Sequence, residues 1–68
     1  MRRMTYTEFN IKSYMDAEIV RAKLVSMGAE RVETRMEEGI NGEVDMEYSM
    51  EVPDSKHEDF IKFGCYDG

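Results

Sequence analysis

Residues 42–53 read GEVDMEYSMEVP. Val44, Met46, Tyr48, Met50 and Val52 recur at every second position, the period of a β-strand with one buried face. The positions between them, Glu43, Asp45, Glu47, Ser49 and Glu51, make the opposite face a row of carboxylates broken by one serine. Pro53 closes the run, because proline has no N–H to give to a ladder.

The stretch before it, AERVETRME (29–37), alternates in the same way, with Val32, Thr34 and Met36 on one side and Arg31, Glu33, Arg35 and Glu37 on the other. The segment EGING (38–42) must turn one strand into the next, and its length decides which residues meet. A two-residue Asn41-Gly42 turn would set Met36 against Glu47 and Val32 against Glu51. Mixing apolar and acidic side chains on one face is incompatible with a half-buried sheet. A three-residue Ile40-Asn41-Gly42 loop pairs Met36 with Met46, Thr34 with Tyr48 and Val32 with Met50; a five-residue loop keeps the same pairing. Arg35 then faces Glu47 and Arg31 faces Glu51, and Gly42 supplies the left-handed residue such a loop requires.

Upstream, SYMDAEIVRAKLVSMG (13–28) reads as an amphipathic helix. Ser13 and Asp16 form its capping pair, Ala17, Val20, Leu24 and Met27 its inner stripe, and Gly28 its left-handed stop. MTYTEFNIKSY (4–14) precedes it as a strand, with Phe9 and Ile11 on one face and the residues from Met1 to Met4 as a frayed start. After Pro53, Ser55 and Glu58 suggest a capping box for a short helix, although FIKFGCY (60–66) also suits a strand. The expected fold class is α+β, one domain over residues 1–68. A small antiparallel or mixed sheet is covered on one face by helix 14–27, with a short C-terminal element, helix or strand. The strand–helix–strand–strand order resembles part of a ferredoxin-like unit, a likeness of fold that carries no function.

Composition narrows the function. A chain of 68 residues buries only about 60% of the surface its unfolded form exposes, so a thin core invites help from a metal, a disulfide or a second copy. Cys65 is the single cysteine, which excludes an internal disulfide and suggests a reducing, cytoplasmic setting. No membrane or targeting segment is visible. The net charge of −6 is uneven: residues 1–36 sum to +2 and residues 37–68 to −8. An acidic chain repels phosphate backbones, so direct nucleic-acid binding is not expected.

The carboxylate row contains the candidate site. Arg31 and Arg35 would neutralise its far end, while Glu37, Glu38, Glu43 and Asp45 would crowd the hairpin tip with no cation in reach. Like charges directly across strands destabilise a sheet, so the tip needs solvent, a cation or a basic partner. Glu37, Glu38, Glu43, Asp45 and Glu47 are therefore the expected binding residues, and the partner a protein with a basic surface. No metal site is expected: alternate strand residues splay along a line, and an EF-hand loop requires glycine where Tyr48 stands. Alternate carboxylates lie about 6.6–6.8 Å apart, sparser than the phosphates of a DNA strand at about 3.4 Å, so only the tip approaches nucleic-acid charge density.

No catalytic residues are expected. His57 and Cys65 are the sole members of their types, and nothing in their spacing makes them a nucleophile–base pair. No cofactor motif is present. The expected function is a small non-enzymatic interaction module. Its most concrete form is an inhibitor of a nucleic-acid-binding surface, in the manner of small phage anti-restriction or anti-CRISPR proteins. The alternative is a homodimeric regulatory or ligand-binding domain in which an edge strand pairs with its twin.

Overall fold

A computed structural model describes residues 1–68. The chain runs β1 (Arg2–Glu8), α1 (Tyr14–Met27), β2 (Glu30–Glu38), β3 (Val44–Val52), α2 (His57–Phe63) and β4 (Tyr66–Asp67). The four strands form one antiparallel sheet in the order β2-β3-β1-β4. Because β3 is antiparallel to both β1 and β2, those two run parallel with β3 between them, a split β-α-β unit. The whole element order is β-α-β-β-α-β, so the ferredoxin-like arrangement extends through the C-terminus.

The hairpin follows the three-residue register. Met36 pairs with Met46, Thr34 with Tyr48 and Arg35 with Glu47. The Gly39 N–H donates to the Glu43 carbonyl at 2.7 Å and closes the loop, in which Asn41 and Gly42 both take positive φ. Beyond Glu33 the register departs from expectation. A bulge between Glu30 and Glu33 sets Glu30, not Arg31, opposite Glu51, and Arg31 absorbs the extra residue at φ 52°.

Helix α1 begins and ends where its caps stand. The Asp16 N–H donates to the Ser13 hydroxyl at 3.2 Å, and Gly28 in the left-handed conformation donates its N–H to Leu24 and Val25 carbonyls. Its inner stripe holds: Ala17 and Leu24 are buried, Val20 and Met27 partly so. At the other end of the chain both readings apply in succession. Helix α2 turns at Gly64 into the two-residue strand β4, which pairs with Met4 and Thr5. Ser55 makes no cap here; a short turn over Asp54–Lys56 leads into α2, whose cap position is Lys56.

The N-terminus differs most from expectation. Arg2 and Arg3 are strand residues, and the core side of β1 is Met4 and Tyr6; Phe9 is exposed beyond the strand, while Ile11, also outside it, packs partly buried against the core. Pairing with β3 on one side and β4 on the other makes β1 a central strand. Met4 is wholly buried with Leu24, Tyr48, Met50, Val52 and Phe60.

Candidate functional site

Arg35 is the first correction to the acidic tip. Its guanidinium lies 3.4 Å from the Glu37 carboxylate and 3.7 Å from that of Glu47, so both carry a counter-charge. Arg31 reaches Glu51 at 3.8 Å despite the bulge. Arg3, on β1, meets Glu33 at 3.2 Å. The open sheet face is therefore a mosaic of exposed ion pairs rather than a continuous acidic row. Such pairs contribute little, about 0–1 kcal/mol each.

Asp45 serves the backbone. One carboxylate oxygen accepts the Asn10 N–H at 2.9 Å, tying the β1–α1 connection to the hairpin. The other lies against Gly39, where an added Cβ would stand 2.9 Å away. Glu37 and Asp45 face each other across the strands as expected, yet each has its own partner. Among the five candidates, Glu38 and Glu43 are left without one. They occupy opposite sides of the hairpin, because Glu38 follows the alternation of Met36 whereas Glu43 follows that of Asp45.

What the alternation alone did not reveal lies on the helix side of the tip. Met36, an expected core residue, is 66% exposed, because α1 and α2 cover β1 and β3 but leave most of β2 uncovered. A cleft of about 220 Å³ opens there, lined by Ile11, Tyr14, Ala17, Met36, Val44 and Met46. Lys12 and Ser13 complete its wall. Glu38 lies beside Met36 and Val44 in a contiguous hollow, and Asp16 borders a second hollow that shares Ile11. Tyr14, in the cleft wall, is 76% exposed, and Ile40 at the hairpin tip is 80% exposed. The sequence did carry a signal: Tyr14, Met15 and Ile19 lie outside the stripe that helix 14–27 buries.

The remaining titratable groups do not converge. Burial pushes the Cys65 thiol up to about 11, which keeps it protonated and unreactive at neutral pH. His57 Nε2 lies 3.0 Å from the Asp67 carboxylate near the molecular surface. No three His, Cys, Asp or Glu side chains are grouped as metal ligands, and no helix is long and apolar enough to cross a membrane. Comparison with known proteins finds no matching family model, no matching curated protein and no matching solved structure.

Proposed function

We propose that this protein is a non-enzymatic interaction module whose hairpin end binds a basic, amphipathic segment of a protein partner. The observation that carries this reading is the apolar cleft between α1 and the hairpin, bordered by acids. Tyr14 and Met36 offer apolar contact area, Glu38 and Asp16 add negative charge in the adjoining hollows, and Glu43 adds one on the opposite side of the tip; Lys12 is the one cation in the cleft wall. An apolar centre with a polar rim is the usual anatomy of a protein interface, and acids at the rim favour a basic partner in both encounter and orientation. Cys65 is buried and its thiol is held protonated, so it offers no reactive thiolate, in keeping with a binding rather than a thiol-catalytic role.

The open sheet face supports a protein partner over a nucleic acid. Sheets that bind single-stranded RNA stack bases on exposed aromatic residues of their central strands. Here the central strands β1 and β3 present Arg3, Thr7, Glu47, Ser49 and Glu51 on that face, with Thr5 buried among them, and the half-exposed Tyr66 stands on the two-residue edge strand β4. The ion pairs to Arg31 and Arg35 also weaken the comparison with a row of phosphates. An inhibitor that covers a nucleic-acid-binding groove would therefore act through the tip and cleft together.

Affinity capture from the native host's lysate tests the reading with three baits: wild type, Tyr14→Asp, and Glu38→Lys/Glu43→Lys. The expected result is a basic-surfaced protein retained by wild type and lost from both variants. Equal retention by all three baits would place the binding surface elsewhere.

A further inference from the structure

β2 is a long, open edge: nine residues, paired on one side by β3 and exposed along most of its length. The other edge, β4, has two residues. Edge strands ordinarily discourage further pairing with charge and bulges. β2 has both, but its charges alternate in sign: Arg31, Glu33, Arg35, Glu37. That order is complementary to itself when read backwards about Thr34. We infer that two copies of this chain associate through antiparallel pairing of their β2 edges, with Thr34 on the two-fold axis.

The hydrogen-bond phase of the sheet agrees with that register. The Val44 carbonyl accepts from Ile11 on the β1 side of β3, and Gly39 donates to Glu43 on the β2 side. In an antiparallel ladder the bonding direction alternates along a strand. Glu33, Arg35 and Glu37 therefore turn their backbone groups toward β3, while Val32, Thr34 and Met36 turn theirs toward the open edge. With Thr34 on the axis, the hydrogen-bonded pairs are Thr34 with Thr34 of the second copy and Val32 with Met36 of the second copy, about six bonds in all. The Val32 carbonyl, which accepts from the Arg21 guanidinium at 3.2 Å, would give its second lone pair to the Met36 N–H.

The charged residues then fall at the closer, non-hydrogen-bonded positions. Glu33 meets Arg35 of the second copy, and Arg31 meets Glu37, each pair occurring twice by symmetry. Sliding either copy by two residues sets Arg35 against Arg35 or Glu33 against Glu33, and like charges directly opposite are destabilising. Sliding by four toward the hairpin retains only Arg35 against Glu37. The bulge at Arg31 weakens the outermost pairs, so Glu33 and Arg35 are the main determinants. Arg35 already meets Glu37 and Glu47, and Glu33 meets Arg3; the guanidinium's five donors allow an additional acceptor. On the helix side, Met36 would lie beside Val32 of the second copy, at the border of the cleft it lines with Tyr14 and Ile11.

Sedimentation equilibrium of the full chain over a concentration series tests the proposal. Wild type is expected to dimerise. Glu33→Arg alone and Arg35→Glu alone are each expected to raise the dissociation constant about tenfold, because each places like charges across the axis twice. Mixing the two variants is expected to restore a heterodimer, in which the facing charged pairs between residues 31 and 37 are again opposite in sign. Thr34→Pro supplies a fold-preserving control: its N–H points away from β3, where an edge strand tolerates proline, so the variant should keep its circular dichroism and be monomeric. A wild type monomeric at every concentration overturns the proposal. So does a dimer that withstands Glu33→Arg and Thr34→Pro.

Discussion

The buried hydroxyl of Tyr48 donates a hydrogen bond to the backbone carbonyl of Ala17 at 2.7 Å, joining the centre of β3 to the first turns of α1. Tyr48 is wholly buried, and this bond gives its polar atom a partner inside the core. It also sets the helix position along the sheet, and therefore how much of β2 stays uncovered. Tyr48→Phe keeps the ring and loses the bond, for an expected cost of about 0.5–1.5 kcal/mol. Chemical denaturation checks it; an unchanged midpoint would mean that the bond contributes nothing net.

Two methionines paired across neighbouring strands or sharing one face need not be equivalent. Met50 is wholly buried, so Met50→Ala should cost about 2–5 kcal/mol. Met36 is mostly exposed, and Met36→Ala should fall within about 0.5 kcal/mol of wild type. Comparable losses for both variants in urea unfolding would contradict the uncovered β2.

Asp45 separates architecture from binding. Asp45→Ala removes the acceptor for the Asn10 N–H, and because water replaces it at this exposed site the expected loss is about 1 kcal/mol. For a chain of this size that lowers the melting temperature by about 4–8 °C. Glu38→Lys/Glu43→Lys, which breaks no internal contact, should melt with wild type. The opposite ranking would reverse the roles assigned to these acids.

Alkaline pH should loosen the fold from two places. Burial raises the Cys65 thiol from 9.0 to about 11. Burial, then the Glu8 hydrogen bond and charge, raises the Tyr6 hydroxyl from 10.0 to about 12. Both groups are neutral when folded and ionise sooner when unfolded. Their contribution is complete below pH 9.0 and is lost as pH rises through about 11 for Cys65 and about 12 for Tyr6. Denaturant midpoints across pH 8–12 should fall in that window, and Cys65→Ala should flatten the part between about 9 and 11. An identical slope in the variant would assign the transition to other groups.

Periodicity within each segment was sufficient to locate α1, β2 and β3, because their caps and alternation are local. It also gave the hairpin register, since only an odd-numbered loop keeps apolar residues on a common face. The N-terminal segment misled for a related reason. Phe9 and Ile11 look more like core residues than Met4, but β3 and β4 flank Arg2–Glu8 and leave Phe9 beyond the strand.

The acidic candidates divide along the same line. Five carboxylates in a short stretch are visible in the letters, and so is the proximity of Arg35 to Glu47 once the register is known. That Arg35 also serves Glu37, that Asp45 holds Asn10, and that Met36 borders an open cleft depend on where α1 lies across the sheet. Sequence alone thus determined the elements, their faces and the hairpin pairing, which follow from contacts between near neighbours. Tertiary structure decided which apolar residues are covered and which charges are matched, because both depend on groups that the fold brings together from distant parts of the chain.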